Sequence, residues 1–410
     1  MSAGYDIVIV GGGIAGGALA ATLARGGVSV AVLERDHEPV DRVRGEFMAL
    51  WGVSELEKLG LRAVLEAGGG IYSQRNVPYD ENTPGEQALA YALVYKQLVP
   101  DVPGALCMSH PAMCSALCDA AEGAGATVLR GVEDIQVSAG RPPSIGFRHE
   151  RRALSWRPRL IVGADGRNSR LRQQLGITLL ADPPHNLLGG MLVEGVPEWP
   201  QDTQVIGTEG RTHFLIFPQG GDRVRLYVCY DFADKALYAG AGRQRKLVET
   251  FAGLTCLPHA AAIAQCRPIG PFNAFSNEDH WTQDPTVAGV VLIGDAAGHN
   301  DPIVGQGLSI ALRDVRLVSE ILLDGWRDRD AFRPYVEERG ERMRRLRIAA
   351  RLATTLRAEF GEVARQRRAK VQKRLRVDKM PSPLAAVMLG PDRLPADHFA
   401  PATLDALLAP

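Results

Sequence analysis

The stretch from Tyr5 to Arg35, YDIVIVGGGIAGGALAATLARGGVSVAVLER, constrains the fold of this chain more than any other. The apolar run Ile7 to Val10 is typical of a strand buried on both faces of a parallel sheet. A pattern at helical spacing follows from Ile14 to Leu23, and a second apolar strand is predicted from Ser29 to Leu33. Two parallel strands joined by a helix form a β-α-β unit, so the sequence predicts an α/β fold.

The first strand ends in glycines at the G-x-G-x-x-G spacing, Gly11, Gly13 and Gly16. The first glycine permits a tight turn, the second lets the backbone approach a pyrophosphate, and the third lets the helix pack on the strand. The helix that begins at Ile14 and Ala15 presents unpaired N–H groups and a positive dipole end to that phosphate. We therefore expect a dinucleotide site, the alternative being a glycine-rich turn without a ligand.

An acidic residue, Glu34, follows the second strand eighteen residues after Gly16, and Arg35 stands beside it. A carboxylate at this distance can accept hydrogen bonds from an adenosine ribose, whereas it would repel a 2′-phosphate. The expected resident ligand is therefore FAD or NAD rather than NADP. This segment does not decide between those two.

Composition sets limits on the function. The chain has 410 residues, enough for two domains, and its 47 Lys and Arg balance its 47 Asp and Glu. Because the net charge is zero, no overall electrostatic attraction to nucleic acid is expected. No apolar run approaches the length of a transmembrane helix, so we do not expect a membrane span either. The chain enters a strand almost at once, which leaves no room for a signal peptide, so a cytoplasmic enzyme is expected. The six cysteines include no C-x-x-C pair and are expected to pack in the core.

Two further strand–acid junctions lie far along the chain. In LIVGADGRNSRLR, Leu160 to Arg172, a buried strand runs into Asp165, at the edge where open α/β sheets bind ligands. A second short strand ends at Ile293 and is followed by Gly294-Asp295. Beyond Pro302, a helix is predicted to begin after the glycine pair Gly305 and Gly307, near Leu308, and its N–H groups could face an electron-rich ring edge. We expect these junctions to converge on one ligand.

The remaining segments predict a second layer and a helical tail. Alternating runs predict strands at Leu187–Val193, His213–Phe217 and Val224–Tyr230, the last two joined by a hairpin. Further predictions are a helix around 45–59 and short strands in ALAYALVYKQL, between 68 and 103. The charged segment 330–376 is expected to form helices whose arginine clusters are solvated.

Together the three junctions resemble the single-component FAD-dependent monooxygenases, the para-hydroxybenzoate hydroxylase-like flavoproteins. The resemblance extends over roughly residues 5 to 325 and rests on Gly11-x-Gly13-x-x-Gly16 with Glu34, on Gly163-Ala164-Asp165-Gly166, and on Gly294-Asp295 with Gly305-Gln306-Gly307. It implies a discontinuous Rossmann-like FAD-binding domain with an inserted mixed-sheet substrate domain and a C-terminal helical region. The expected boundaries are 1–70, 100–177 and 285–325 for the first, 71–99 and 178–284 for the second, and 326–410 for the third.

The resemblance also implies roles for individual residues. Asp295 would contact the ribityl or pyrophosphate part of FAD, and Asp165 would be tied to both FAD and nicotinamide use. Arg44 falls where the family often has an arginine near the flavin. His110 replaces a family arginine, and His299 is displaced by one position from the family's frequent histidine. These departures indicate a divergent subgroup.

The implied chemistry uses transient NADPH or NADH and O₂ to hydroxylate or epoxidise a small aromatic or polycyclic metabolite through a flavin C4a-hydroperoxide. Candidate catalytic residues are Arg44, His213 and Tyr72, and the expected pocket lining is Met191, Phe214, Phe217 and Tyr227. No metal is expected, and the chain would be a monomer or homodimer. The alternatives are a reductase of the prenyl-reductase type, a flavin-dependent halogenase, which would need an absent W-x-W-x-I-P segment, and a non-enzymatic scaffold.

Overall fold

The computed structural model describes residues 4–43, 45–326 and 328–409. Within these ranges the strands, numbered β1 to β22 in chain order, are Ile7–Val10, Val30–Leu33, Phe47–Met48, Ile71–Ser73, Arg75–Asp80, Leu93–Val94, Ala105–Cys107, Thr127–Leu129, Glu133–Ser138, Ser144–His149, Arg152–Trp156, Leu160–Gly163, Leu180–Ala181, Asn186–Glu194, Thr203–Glu209, Thr212–Pro218, Val224–Tyr230, Arg267–Pro268, Asn273–Asn277, His280–Trp281, Thr286–Val287 and Val290–Leu292.

The helices of the same ranges, numbered α1 to α14, are Ile14–Arg25, Leu50–Lys58, Arg62–Ala67, Gly85–Ala90, Tyr95–Leu98, His110–Gly123, Arg170–Gln174, Arg243–Ala252, Ala260–Ile263, Gly307–Leu323, Arg333–Arg357, Glu362–Arg376, Ala386–Leu389 and Pro401–Leu408. None of them is both long and apolar enough to cross a membrane. All six cysteines are free, and five of them are buried.

The first layer is a six-stranded sheet in the order β21-β22-β12-β1-β2-β8. Strands β22, β12, β1, β2 and β8 run parallel, and β21 joins the edge antiparallel. Strands β1 and β2 are fully buried, because one face of the sheet packs against α1, α6 and α10 and the other against the three-stranded β9–β11 sheet. The α/β prediction, with a Rossmann-like first domain, is therefore confirmed.

The second layer is an eight-stranded mixed sheet in the order β18-β14-β17-β16-β15-β5-β6, with β19 also paired to β14. Strands β15 and β5 pair in parallel, whereas the β14, β16 and β17 pairings are antiparallel. One face packs in a hydrophobic core with α8 and α9. The other face turns toward the first layer, as expected of an inserted mixed-sheet domain.

Three sequence predictions differ from the structure. The helix expected around 45–59 begins only at Leu50, because Gly45 has a left-handed φ of 75° and Phe47–Met48 pairs with β7 as a strand. The segment ALAYALVYKQL forms α4, the short β6 and α5 rather than strands alone. The strand Thr203–Glu209 was missed, although it pairs with both β5 and β16.

The arginine-rich tail was expected to be a solvated helix face, and this is wrong for several residues. Arg339, Arg342 and Arg368 are 2%, 3% and 3% exposed. Their charges are balanced by carboxylates from other elements, which a local sequence pattern does not reveal. Helix α11 therefore packs against the first layer as part of the core.

Candidate active site

The sequence motifs meet at one edge of the six-stranded sheet. Neighbouring strands β22, β12, β1 and β2 end immediately before Ile293, Ala164, Gly11 and Glu34. The carboxyl ends of parallel strands share an edge, and ligands bind there in open α/β sheets. All four of these residues line a single cavity of about 1990 Å³. A pocket for one ligand usually measures about 300–1,000 Å³, so this volume accommodates a cofactor and a substrate together.

The glycines of the first junction have different surroundings. Gly11 has φ 106°, and a Cβ there would overlap the Ala164 carbonyl oxygen. A Cβ on Gly16 would overlap the Gly11 carbonyl oxygen, so this glycine allows α1 to pack on β1. In contrast, a Cβ on Gly13 meets no described atom within 4 Å. The backbone at Gly13 therefore faces open space in the cavity, as a pyrophosphate cradle requires.

The start of α1 is free of competing acids. Gly13 is its N-cap without a side-chain hydrogen bond, and the first turn carries no acidic residue. Ile14 and Ala15 also line the cavity. The first N–H groups of a helix lack intrahelical partners, so this terminus can bind an anion.

Glu34 accepts hydrogen bonds from two backbone groups, Gly12 N at 2.5 Å and Asp36 N at 2.8 Å. These bonds fix the carboxylate at the cavity wall. Each carboxylate oxygen still has acceptor capacity for a ribose hydroxyl. Arg35 lines the same wall and forms an ion pair with Asp36.

Asp165 shapes the second junction. Its carboxylate accepts from Ser169 Oγ and, at 3.1 Å, from Leu171 N, which anchors the start of α7. Ser169 itself caps this helix by accepting from Arg172 N at 2.9 Å. Asp165 lines the cavity, so it lies beside the ligand site while stabilising the turn.

Asp295, at the third junction, forms an ion pair with Arg167 Nε at 3.2 Å. Arg167 also lies over the ring of Phe275, 5.6 Å from its centroid, and lines the cavity. Sequence reasoning missed Arg167, although it stands two residues after Asp165. An arginine here can donate to phosphate or ribityl oxygens in addition to Asp295.

The glycine turn before α10 leaves room for a ligand to approach its backbone closely. Gly305 has φ 62°, a left-handed conformation that favours glycine. Gln306 is buried, and its Oε1 accepts from Trp51 Nε1 at 2.8 Å. A Cβ on Gly307 would meet no described atom within 4 Å, and Leu308 lines the cavity beside it. The N-terminus of α10 therefore opens directly onto the cavity.

A buried ion cluster holds the third junction in place. Asp314 is fully buried and accepts from Gly294 N at 2.8 Å. Arg339 donates to Asp314 at 3.1 Å and to the carbonyls of Gly294 and Gly298, and Arg342 donates to Asp314 at 2.7 Å. Two helices of the core thus brace the Gly294–Asp295 turn.

Two predicted cofactor residues have different outcomes. His110 begins α6, lines the cavity and lies near Cys114 Sγ at 3.7 Å. Arg44, which the sequence suggested for both cofactor binding and catalysis, lies outside the described residues.

A buried polar cluster that the sequence did not predict lies beside the glycine turn. Glu46 lines the cavity and is 2% exposed, and Tyr227 donates a hydrogen bond to it. Arg225 is fully buried and pairs with Glu46 at 3.1 Å and with Asp41 at 3.0 Å. Burial raises the pKa of Glu46, although Arg225 and Tyr227 act against this shift. These residues come from two layers, so only the folded chain brings them together.

The predicted pocket lining divides between the two faces of the mixed sheet. Phe217, Tyr227 and His213 line the cavity. Met191 and Phe214 instead belong to the hydrophobic core on the opposite face, because alternate residues of a strand point to opposite sides. Tyr72 does not line the cavity either, and its hydroxyl donates to Glu66 at 2.9 Å. It therefore has no part in the function proposed below.

Asp279 lies behind the cavity-lining residues His299 and Asn300. It is 3% exposed and accepts from Asn300 Nδ2 at 2.6 Å and from Asp301 N at 3.0 Å. Burial is the main reason that its pKa rises from 3.8 to about 7, despite these hydrogen bonds.

This shift predicts a pH-dependent stability. Between about pH 4 and pH 7 the unfolded chain loses the Asp279 proton while the folded chain keeps it, so the contribution of Asp279 to the free energy of unfolding falls as pH rises. Asp279→Asn should keep the two accepted hydrogen bonds and remove this pH dependence. The free energy of unfolding of the wild type should therefore fall, relative to that of the variant, by on the order of a few kcal/mol between about pH 4 and pH 7. Urea unfolding of both proteins at pH 4.5 and pH 7.5 measures it. A difference between the two proteins that does not change with pH would contradict the assignment.

The site residues fit a dinucleotide cofactor, because open glycine backbone, two free helix N-termini and a ribose-facing carboxylate line one cavity. A family model described as FAD binding domain matches residues 4–349. The match covers all three junctions and the whole mixed sheet.

Curated relatives of this chain are oxygenases. It is 24% identical over 358 residues to a rifampicin monooxygenase of Streptomyces venezuelae, covering 82% of this chain and 68% of that protein. It is 26% identical over 364 residues to a 3-demethoxyubiquinol 3-hydroxylase of Escherichia coli strain K12, covering 83% and 85%. It is 24% identical over 328 residues to a squalene monooxygenase of Mus musculus, covering 78% of this chain and only 55% of that relative's length.

The fold resembles solved structures over nearly its full length. The p-nitrophenol 4-monooxygenase from Pseudomonas putida DLL-E4 superposes with a TM-score of 0.79 at 17% identity, covering 96% of this chain and 100% of the other. At this identity the likeness concerns the fold alone.

Proposed function

Because this chain belongs to the FAD-binding domain family, we propose that it is a flavoprotein monooxygenase. Its reaction would use NADPH or NADH and O₂ to hydroxylate or epoxidise a small, largely apolar metabolite. One observation carries the proposal: the cradle formed at the three junctions and the wall of the mixed sheet belong to a single continuous cavity. A cofactor and an organic substrate can therefore share one space.

The cradle residues would divide the cofactor between them. The open backbone at Gly13 and the N-terminus of α1 bind the pyrophosphate, while Glu34 accepts from the adenosine ribose. Asp295 and Arg167 contact the ribityl chain or the pyrophosphate. When bound, FAD accepts hydride from NAD(P)H and activates O₂ for transfer of one oxygen atom to the substrate.

The N-terminus of α10 supplies electrostatic stabilisation. Its unpaired N–H groups after Gly307 face the cavity, and their positive dipole end favours negative charge on a bound ring edge. The turn is held by the Trp51–Gln306 hydrogen bond and by a hydrogen bond from Gln306 Nε2 to the Val304 carbonyl, so it is oriented before any ligand binds. Preorganised donors of this kind are effective because they need no rearrangement during the reaction.

Two side-chain groups would serve the substrate. Phe47 and Phe217 stack with ring centroids 4.9 Å apart at the cavity wall beside Gly305, and they keep water from the reacting atoms. Glu46 and Tyr227 form a buried proton-carrying pair in the same region. Burial raises the pKa of both groups, so at neutral pH the tyrosine hydroxyl keeps its proton.

Phe217→Leu should uncouple the reaction. A smaller side chain breaks the stack on Phe47 and admits water, so hydrogen peroxide released per NAD(P)H consumed should rise about threefold or more. Peroxide and NAD(P)H are measured together in the presence of substrate. Phe214→Leu is the control, since it lies on the same strand but in the core on the opposite face. Equal uncoupling in both variants would contradict a role for Phe217 at the reacting centre.

A metabolite panel tests the function itself. Aromatic, polycyclic and polyprenyl compounds are added to the FAD-loaded protein, and NAD(P)H oxidation and O₂ uptake are recorded. We expect at least one compound to accelerate NAD(P)H oxidation with an equal uptake of O₂. Acceleration without O₂ uptake would instead identify a reductase, and a protein that takes up no FAD would contradict the enzymatic proposal.

A further inference from the structure

Arg357 is the last residue of α11 and lies where the C-terminal helices close the cavity against the mixed sheet. Its carbonyl oxygen is 3.3 Å from Thr208 Oγ1, so the end of the helix sits on strand β15. Its guanidinium forms neither an ion pair nor a hydrogen bond within the described ranges. Burial lowers the pKa of Arg357 to about 10, and no carboxylate opposes the shift.

Two arginines that are more deeply buried than Arg357 are balanced. Arg225 pairs with Asp41 and Glu46, and Arg368 pairs with Asp80. A buried charge is normally paired, because leaving water costs several kcal/mol that a counter-ion offsets. Arg357 is half-buried and has no such counter-ion in the described part of the chain, because its side chain lines the cavity.

A second unsatisfied group lies beside it. His213 is fully buried and lines the cavity, and its Nε2 has no hydrogen-bond partner among the described residues. Its Nδ1 is 3.0 Å from Thr208 Oγ1. Burial, aided by the charge of Arg357, lowers the pKa of His213 far below its usual value, so the ring is neutral. Because Thr208 donates its one hydroxyl proton to the Arg357 carbonyl, Nδ1–H of the neutral ring donates to Thr208 Oγ1. Nε2 is therefore left as an acceptor, which an N–H or O–H group of a ligand can satisfy.

The surrounding wall favours negative charge. Arg376 and Lys379 also line this end of the cavity, and Asp80, the carboxylate that the mixed sheet contributes here, is taken by Arg368. Arg376 is held over the ring of Tyr91, 4.1 Å from its centroid. A concave wall with an excess of cations concentrates an anionic ligand.

Strand β16 runs from this end of the cavity to the end that lies beside the glycine turn before α10. His213, Leu215 and Phe217 alternate along it and all line the cavity, whereas Phe214 faces the other side. At about 3.3 Å per residue, His213 lies roughly 13 Å from Phe217. Between them the wall is apolar, with Leu215 and Ile206 paired across two strands.

We propose that the substrate is an elongated apolar acid whose carboxylate is held by Arg357. Its reacting carbon would lie roughly 13 Å away, beside Phe217 and the glycine turn. This assignment of substrate class rests on the proposed monooxygenase function. It makes the C-terminal helical region part of the specificity site.

The test compares ω-phenylalkanoic acids of increasing length with their primary amides. Binding to the FAD-loaded protein is measured without NAD(P)H, by the change in flavin absorbance and by titration calorimetry. The wild type should bind the acids about tenfold or more tightly than the amides, with an optimum chain length. Arg357→Met should lose about tenfold to hundredfold in acid affinity and leave amide affinity unchanged, and Arg357→Lys should recover part of the loss.

Arg351→Met is the matched control, because Arg351 is exposed on the same helix and does not line the cavity. It should bind like the wild type. Equal affinity for acids and amides, no binding of any acid, or an unchanged Arg357→Met variant would each overturn the inference. If acids bind through Arg357 but no oxygenated product forms, the proposed monooxygenase function is contradicted and the acid site is not. If neutral compounds are oxygenated and acids are not preferred, the acid site is contradicted and the monooxygenase function is not.

Discussion

Gly13→Glu should yield a folded protein that no longer retains FAD. A side chain at Gly13 enters open cavity, where a Cβ meets no described atom within 4 Å, so the apoprotein has room for it. The added carboxylate would occupy the pyrophosphate position and repel it at the N-terminus of α1. We expect FAD affinity to fall by about a hundredfold or more, with little change in the free energy of unfolding of the apoprotein.

The measurement is flavin absorbance per chain after reconstitution with excess FAD and gel filtration. Gly123→Glu serves as the control, because a Cβ there also meets nothing within 4 Å and the residue is exposed and outside the cavity. It should bind FAD like the wild type. Retention of flavin by Gly13→Glu would show that the first junction is not the pyrophosphate cradle.

Asp314→Ala should cause the largest loss of stability. Removing this carboxylate leaves Arg339 as a buried cation without its carboxylate partner, leaves Arg342 with Glu338 alone, and frees the Gly294 N–H. Breaking a buried ion pair on one side costs about 3–5 kcal/mol of the free energy of unfolding. Because the same carboxylate positions the Gly294–Asp295 turn, FAD affinity should fall as well.

Urea unfolding of the apoprotein and FAD titration measure the two effects. Asp314→Asn retains an oxygen for Gly294 N and should fall between the wild type and Asp314→Ala. Glu320→Ala is the control on the same helix, because Glu320 is 58% exposed in its ion pair with Arg316. Loss of this surface pair should cost less than about 1 kcal/mol of the free energy of unfolding. A loss of similar size in Glu320→Ala and Asp314→Ala would contradict the importance of the buried cluster.

The sequence was informative wherever the chemistry is local. The glycine spacing after β1 begins at the strand end, and the acids after β2, β12 and β22 stand within three residues of theirs. Their convergence follows from parallel topology, which brings those ends to one edge. The cofactor cradle was therefore predictable, and the structure adds which glycine packs and which faces the ligand.

The substrate side was much less predictable because its contacts are long-range. Asp41 and Arg225 are 184 residues apart, and Glu46, the second carboxylate that pairs with Arg225, lies at the start of a segment expected to be helical. The residues that each strand turns toward the cavity were also undetermined, because a strand such as His213 to Phe217 carries apolar residues on both faces. This is why Phe214 was grouped with Phe217.

The tail shows the limit of charge patterning. Mixed Arg and Glu at helical spacing are typical of a solvated face. Here Arg339 and Arg342 meet an aspartate of α10, and Arg357 meets a cavity instead. Only the packing of α11 distinguishes these arginines from the exposed Arg351, since all four have similar neighbours in the sequence.

Oxygen labelling tests the central claim most directly. The FAD-loaded protein is incubated with NAD(P)H, a compound that accelerates NAD(P)H oxidation, and ¹⁸O₂ in unlabelled water, and the product is analysed by mass spectrometry. We expect each product molecule to gain one oxygen atom, and we expect this atom to be ¹⁸O. A product whose new oxygen comes from water, or a reduced product without new oxygen, would contradict the claim.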